Sequence, residues 1–351
     1  MDSILFLAHT EPDGTLARPA LEALTAARTL AAAQAGTPFV AGLVGPKAEA
    51  AAAGLGSSGT ARALIAAGDD FAQARYATDA AAAEAICRTS GATLVVAPAT
   101  SRWARALPGV AFRIGGRIDT HITTAARVDD AVTVRRWYYR QRMEAVVQRT
   151  TRPWLLLIEP GCYPAWTGRA APIGIEQVAV NIADAALRTK VSGLVSPVAG
   201  EQTIRPDAAL LFVAGAGWTK KQPDGSSRPE EAEKLILNFL QATRASLGGS
   251  KSLVDLTGEG QAVLRFMTHL NQIGQTGSTP RHPKGLSTCC HGEEPHVVGW
   301  RFVKERRAVN LDPNCGWARG KADVLYVADA FDVLAKVNAL LATRTGGKAD
   351  G

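Results

Sequence analysis

Long apolar stretches are missing from this sequence. No run of about eighteen apolar residues, the length of a membrane-spanning helix, occurs in the chain. The opening segment reaches Glu11 and Asp13 too soon for the apolar core of a signal peptide. We therefore expect a cytoplasmic protein without membrane insertion. The chain of 351 residues, 46% of them hydrophobic, is long enough for two domains that each bury a core.

Cysteine is scarce and shows no pairing pattern. The five cysteines form no CxxC pair, and their odd number favours free thiols in a reducing compartment over a disulfide framework. Three of them, with two histidines, raise the alternative of a metal or thiol site: Cys289, Cys290, Cys315, His291 and His296. Adjacent cysteine side chains diverge and these spacings match no standard zinc pattern, so we predict no metal.

The formal net charge is +7, and one basic cluster is interleaved with aromatic residues: Arg135, Arg136, Trp137, Tyr138, Tyr139, Arg140, Arg142, Arg149 and Arg152. No recognised nucleic-acid-binding motif accompanies this charge, so we predict no nucleic acid partner. The cluster is typical of the solvated edge of a β-hairpin.

The first half of the chain alternates strand and helix patterns. Short apolar runs at residues 4–8, 39–44 and 93–97 predict strands, and the amphipathic segments 19–33 and 78–87 predict helices. This alternation is typical of a parallel sheet with helices on both faces.

Antiparallel strands follow this region. Residues 128–134 and 135–139 predict the two strands of a hairpin, and 154–158 predict a further strand. The N-terminal sheet is therefore expected to be mixed. Segment 192–206 loses periodicity and contains two glycines and two prolines, which predicts a domain linker.

A second α/β pattern begins after the linker. We predict, in chain order, a strand at 208–213, a helix at 229–247 stopped by Gly248 and Gly249, a strand at 324–327, a helix at 329–341 and a frayed end at 343–351. The predicted fold class is α/β in two domains. Residues 1–191 form a mixed or parallel sheet with helices on both faces, and residues 207–351 form a doubly wound parallel sheet.

A glycine-rich turn follows the first strand of the second domain. The backbone of Gly215, Ala216 and Gly217 can present N–H groups to a phosphate, and Lys220 and Lys221 add positive charge. The third spaced glycine of a dinucleotide fingerprint is missing. An ordinary turn covered by solvated lysines is the alternative.

Residues 273–310 carry many polar side chains between glycines: Gln275, Thr276, Ser278, Thr279, Ser287, Thr288 and His291. Amides and hydroxyls on such segments suit a polar heterocycle such as a flavin or an adenine ring. We expect little of this segment in the core, and a long capped surface loop is the alternative.

Seven segments resemble the α subunit of electron transfer flavoproteins and occur in that family's order. They are ILFLAHTEPDGTLARPALEALTAARTL, ATLVVAPATSRWARALPGVAFRIGG, LLFVAGAGW, IGQTG, GLSTCCH, VNLDP and KADVLYVADAFDVL. The resemblance covers nearly the whole chain. It implies that the C-terminal domain binds FAD and that the N-terminal domain packs on a smaller β subunit.

The resemblance also implies which residues contact the cofactor: Gly217, Trp218, Gln275, Thr276, Gly277, Ser287, His291, Asn310 and Asp323. Thr276 is expected near the reactive edge of the flavin ring. His291 is expected to face the pyrimidine carbonyl, where a donor stabilises the negative charge of a reduced flavin. Asn310 and Asp323 are expected at the adenosine end.

The chain departs from the family's pattern in three places. Where the family has an arginine over the flavin ring, this chain has Gly217 and Trp218. Loss of that cation lowers the reduction potential or weakens binding unless Lys220 replaces it. Residues 288–290 alter the serine motif, and a polar run with two prolines at 278–284 stands where an apolar strand is expected.

The resemblance implies an electron carrier rather than a substrate-converting enzyme. Such a protein binds FAD, takes electrons from a flavin dehydrogenase and passes them to a quinone oxidoreductase as a heterodimer with its β subunit. The missing arginine suggests an alternative, in which the chain is a flavin-free scaffold homologue in a dehydrogenase complex.

Overall fold

The computed structural model describes residues 2–138, 143–193, 204–205, 208–255, 263–273, 282–288, 303–314 and 322–346. The chain divides into two units, Met1–Leu194 and Val195–Gly351. Each unit has its own sheet, which confirms the α/β fold class with two separate sheets. Most of the predicted linker, 192–206, lies outside the described residues. Within the described part, no helix has both the length and the apolar character needed to cross a membrane.

The first unit is built on a mixed sheet. Its strands are β1 (Ile4–His9), β2 (Phe39–Gly45), β3 (Arg62–Ala67), β4 (Leu94–Pro98), β5 (Arg117–Val128), β6 (Ala131–Tyr138), β7 (Met143–Gln148), β8 (Trp154–Ile158) and β9 (Gly174–Gln177). Its helices are α1 (Arg18–Ala32), α2 (Ala48–Ala53), α3 (Tyr76–Ser90) and α4 (Ser101–Arg113), with short 3-10 turns at Gly56–Ser58, Asp69–Phe71 and Asp184–Leu187. The spatial strand order is β7-β6-β5-β8-β4-β1-β2-β3-β9.

Helices cover both faces of this first sheet, as the alternating pattern predicts. Helices α1 and α2 pack on one face and α3 and α4 on the other, so the central strands are buried on both sides. Strands β1, β4 and β8 are continuous apolar runs because neither of their faces meets water. Thr100 caps the start of helix α4, because its hydroxyl accepts the Trp103 N–H at 3.3 Å.

The predicted position of the hairpin turn is wrong. Residues 128–134 and 135–139 do not form two strands, because β6 runs without a break from Ala131 to Tyr138 and pairs with both β5 and β7. The chain reverses at Asp129 and Asp130, with φ of 47° and 61°. Aspartate is among the few residues that tolerate this left-handed conformation.

Asp119, on β5, connects the antiparallel strands to the parallel part of the sheet. Its carboxylate is 1% exposed and accepts hydrogen bonds from Arg136 at 2.8 Å, from Trp154 Nε1 at 2.9 Å and from Arg149. Burial by itself raises the pKa of Asp119, but the hydrogen bonds from Arg149 and Trp154 outweigh that effect and hold the pKa below its usual range.

The second unit is built on a parallel sheet. Its strands are β10 (Leu210–Ala214), β11 (Ser246–Gly249), β12 (His282–Thr288), β13 (Val303–Asn310) and β14 (Val324–Val327). Its helices are α5 (Pro229–Thr243), α6 (Lys251–Asp255) and α7 (Ala330–Gly346), with 3-10 turns at Ala216–Trp218 and His269–Asn271. The order β11-β10-β12-β13-β14 reverses direction between β10 and β12, as in a doubly wound sheet.

The two faces of this second sheet carry separate apolar clusters. The larger one lies under α5, α6 and α7 and includes Phe212, Trp218 and Phe239. The smaller one, on the opposite face, contains Leu211, Val213, Ile273, Val303 and Ala308. The central part of the sheet therefore packs against apolar side chains on both faces, as is typical of a parallel sheet, whereas the edge strand β14 is largely exposed.

Two helix ends differ from the predicted ones. Helix α5 stops at Thr243, where Arg244 turns left-handed with φ of 53°, and the glycines after it belong to β11. A Cβ on Gly248 would lie 2.7 Å from Ile273 Cγ2, so this strand needs glycine for packing rather than as a helix stop. Helix α7 continues to Gly346, beyond the predicted end at residue 341.

Where segment 273–310 is described, at residues 273, 282–288 and 303–310, it contributes more to the core than expected. Strand β12 lies between β10 and β13 in the interior of the sheet, although it begins with His282, Pro283 and Lys284. Two of its buried polar side chains have partners inside the fold: His282 Nε2 lies 2.8 Å from the Arg205 carbonyl, and the Thr288 hydroxyl donates to the Val213 carbonyl at 3.1 Å. The polar run is therefore compatible with an interior strand.

Candidate functional site

A cleft of about 300 Å³ opens at the carboxyl edge of the second sheet. Its lining comes from the segments that follow β10, β13 and β14: Gly217, Lys220, Lys221, Gln222, Pro223, Asn310, Leu311, Asp312, Asp329 and Ala330. Ligands of open parallel sheets bind outside the carboxyl ends of the strands, where the strand order reverses. The cleft lies at this edge and contains two of the predicted site residues, Gly217 and Asn310.

The turn after β10 is held in place by Trp218. The indole is fully buried and packs on Phe331, with ring centroids 4.6 Å apart. Its N–H donates to Thr288 Oγ1 at 2.8 Å. The Trp218 side chain is therefore part of the core, and the cleft is lined instead by the neighbouring Gly217.

Two lysines bring positive charge to this turn. Lys220 and Lys221 both line the cleft, and neither ammonium group forms an ion pair with another described residue. Gln222 folds back over the turn and donates to the carbonyls of Gly217 at 3.0 Å and Lys220 at 2.9 Å. The loop thus has a fixed backbone with two ammonium groups available to an anion.

Asn310 and Asp329 face the cleft from the ends of β13 and β14. Asn310 is 5% exposed, and its Oδ1 accepts the Asp312 N–H at 3.3 Å. Asp329 Oδ1 accepts the Phe331 N–H at 2.8 Å and so caps the start of α7. The sequence pattern predicts Asp329 only as the start of a helix, not as a site residue. The sequence signal that could have identified it as a site residue is an acidic helix cap shortly after a predicted strand.

Ser287 is a buried donor whose hydroxyl has no hydrogen-bond partner among the described residues. It is 1% exposed and lies in register with Val213 and Ala308 on the neighbouring strands. A buried hydroxyl without a partner is costly. Ser287 therefore meets one requirement of a ligand contact, which is an unused polar atom close to the carboxyl edge.

Asp323 is not brought into the cleft. It precedes β14 at the amino edge of the sheet, opposite to the edge at which Asn310 ends β13. Its carboxylate accepts the Arg306 N–H at 2.6 Å and the Arg306 guanidinium at 3.2 Å. The hydrogen bond from the Arg306 backbone is the main reason that the pKa of Asp323 lies below its usual value.

Several predicted site residues lie outside the described residues: Gln275, Thr276, Gly277 and His291. The same holds for the other members of the alternative metal or thiol cluster, Cys289, Cys290, His296 and Cys315. Among the residues that are described, no group of three or more His, Cys, Asp or Glu side chains is placed to hold a metal ion. Burial raises the pKa of the Cys87 thiol to about 12, so that cysteine is inert.

Residues 4–188, a little over half of the chain, match the family model of the electron transfer flavoprotein domain. A search of curated proteins finds no match. The matched residues fall in the first unit, and the carboxyl-edge cleft lies in the second.

Proposed function

We propose that this chain, which belongs to the electron transfer flavoprotein family, is the α subunit of such a carrier and binds FAD in its second unit. Membership gives an electron-transfer role of the flavoprotein type. The observation that supports cofactor binding by this chain is the cleft at the carboxyl edge of β10, β13 and β14. The unit that carries the cleft has the strand order at whose reversal point nucleotides bind.

The cleft residues fit the diphosphate and adenosine half of FAD. Gly217 leaves room for close approach to the backbone, and Lys220 and Lys221 supply charge for two phosphates. The Asn310 amide and the Asp329 carboxylate offer a donor and acceptors for ribose and adenine. Asn310 ends β13 and Asp329 lies two residues after β14, so the sheet sets their positions.

Ser287 supports the same assignment from the neighbouring strand. Its buried hydroxyl has an unused donor among the described residues and would be satisfied by a polar atom of the cofactor. Gln275, Thr276, Gly277 and His291 complete the proposed set on the strength of the family resemblance. When bound, a flavin supplies one- and two-electron redox chemistry.

Trp218 has a different role from the one that the resemblance implied. Because its ring lies in the core, it acts on the site by fixing the turn that carries Gly217 and the two lysines. The positive charge near the cofactor then comes from Lys220 and Lys221. Asp323 lies at the other edge of the sheet. It remains a predicted cofactor contact, but the geometry favours Asp329 for that role.

Family membership supports a proposal for the partners. We propose a heterodimer with an electron transfer flavoprotein β subunit, a flavin dehydrogenase as electron donor and a quinone oxidoreductase as acceptor. The chain itself makes and breaks no bond of a substrate. The rival function is a flavin-free scaffold in a dehydrogenase complex, because the family's arginine is replaced at Gly217 and Trp218.

The test is co-expression of this chain with a β subunit, followed by an absorption spectrum of the purified complex. We expect a yellow complex that releases FAD on denaturation. A correctly folded, colourless complex that stays colourless after incubation with FAD would favour the scaffold. A Lys220→Gln, Lys221→Gln double variant should lose flavin while the complex stays folded, because the phosphates lose their counter-charge.

A further inference from the structure

A second cavity, separate from the cleft, lies between helix α7 and the sheet of the second unit. Its volume is about 490 Å³, within the range of small-molecule sites. Its walls are largely apolar: Leu286, Val309, Tyr326, Val333, Leu334 and Val337. Among the described residues, Ala330 alone lines both this cavity and the carboxyl-edge cleft.

Charged side chains line one side of this cavity. Lys284, Glu305 and Arg307 point to the same face of the sheet, because they alternate with residues of the opposite face along β12 and β13. All three are exposed, and none forms an ion pair with another described residue.

Arg307 is the cation of this group that has no opposite charge directly beside it on the described parts of the neighbouring strands. Lys284 and Glu305 are direct neighbours on β12 and β13, so their opposite charges offset each other. Arg307 lies beside Leu286 on one strand and Val324 on the other, both apolar. Its planar guanidinium is suited to a carboxylate, which it can hold through two parallel hydrogen bonds.

We propose that this cavity binds an amphipathic carboxylate, namely a medium-chain aliphatic acid. Its hydrocarbon chain lies between α7 and the sheet, against Val333, Leu334 and Val337, where water is displaced from apolar walls. Its carboxylate binds Arg307. This site is independent of the flavin, and it stands whether or not the carboxyl-edge cleft holds a nucleotide.

The test is calorimetric titration of the full chain with decanoate, and with decanol as a neutral ligand of the same chain length. We expect one decanoate site, and we expect Arg307→Gln to weaken it by roughly tenfold or more because a charge-assisted hydrogen bond is lost. The same variant should leave decanol binding unchanged. Lys304→Gln is the matched control, since it removes an equal charge from the same strand at a residue outside the cavity lining.

A second variant fills the cavity without changing charge. Val337→Trp should abolish binding of both decanoate and decanol while flavin content stays unchanged. Absence of decanoate binding at millimolar concentration overturns the proposal, as does an equal effect of Arg307→Gln and Lys304→Gln. If wild type fails to bind decanoate and Val337→Trp prevents assembly with the β subunit, the cavity is a protein contact and the proposal is wrong.

Discussion

The indole N–H of Trp218 donates a 2.8 Å hydrogen bond to the hydroxyl of Thr288, which in turn donates to the Val213 carbonyl at 3.1 Å. Trp218 belongs to the turn after β10, and Thr288 ends β12. These are the two strands between which the sheet reverses direction. The pair therefore fixes the turn that carries Gly217 and the lysines to the adjacent strand.

A double-mutant cycle tests this pairing. Trp218→Phe and Thr288→Val should each destabilise the second unit, and the double variant should lose less than the sum of the two. We expect a coupling of about 1 kcal/mol, the net value of a buried hydrogen bond. Urea denaturation followed by tryptophan fluorescence and by circular dichroism measures it. Strictly additive losses would show that the bond does not stabilise the turn.

The two candidate aspartates can be separated by a matched pair of substitutions. Asp329→Asn keeps an oxygen that can cap α7 but removes the negative charge, and we expect flavin to dissociate at least tenfold more readily, since hydrogen bonds to charged groups contribute about 1.5–3 kcal/mol. Asp323→Asn should have little effect on retention, because it lies at the opposite edge of the sheet. Equilibrium dialysis of the reconstituted complex measures both. The reverse ranking would restore Asp323 and exclude Asp329.

Ser287 allows a test that separates folding from binding. In the flavin-free chain, Ser287→Ala should be neutral or slightly stabilising, because the hydroxyl is buried with no partner among the described residues. In the flavin-bound complex the same change should increase FAD release. Ser250→Ala is the control: Ser250 is equally buried, but its Oγ accepts the Leu253 N–H at 3.2 Å. This control should destabilise the chain with or without flavin.

His9, at the end of β1, predicts a pH dependence of stability in the first unit. Burial, aided by the nearby charge of Arg102, lowers the pKa of His9 from 6.5 to about 4. Between these values the unfolded chain binds the proton and the folded chain does not. The stability that His9 contributes is therefore complete above pH 6.5 and is lost as the pH falls toward 4, by at most about 1.4 kcal/mol per pH unit.

The measurement is urea denaturation at pH 5 and at pH 7. Wild type should lose more stability at the lower pH than His9→Gln, and the difference between the two isolates this histidine from the carboxylates. His121 is a contrast of opposite sign: the Glu159 hydrogen bond raises its pKa, so its contribution is lost as the pH rises. Equal losses in wild type and His9→Gln would contradict the assignment.

The fold could be predicted where a strand is a short apolar run, whether that strand is buried, as β8 is, or largely exposed, as β14 is. Strands β8 and β14 have the predicted bounds, because a short apolar run stopped by glycine, proline or a charge has few other interpretations. Strand β12 was missed because its burial comes from β10 and β13, which are distant in sequence. The hairpin turn was missed because the feature that marks Asp129 and Asp130, their left-handed backbone conformation, is visible only in the structure.

The candidate site was predicted in part. Gly217 lies in the turn after β10 and Asn310 ends β13, and a parallel sheet brings such positions to one edge. Asp323 and Asp329 stand on either side of the four-residue strand β14. Which of them faces the cleft depends on strand direction, and that requires the topology of the sheet. The direction of the Trp218 side chain also depends on the fold. Its ring was predicted in the site but packs in the core.

Asp119 has a consequence for how the first unit comes apart. One carboxylate accepts hydrogen bonds from groups on β6, after β7 and on β8. The antiparallel strands β5, β6 and β7 therefore cannot detach from β8 unless the buried charge of Asp119 loses its partners. Amide protons of β5 and β6 should then exchange with deuterium as slowly as those of β8, in a single cooperative opening. In Asp119→Asn, the amide protons of β5, β6 and β7 should exchange first and those of the parallel strands later.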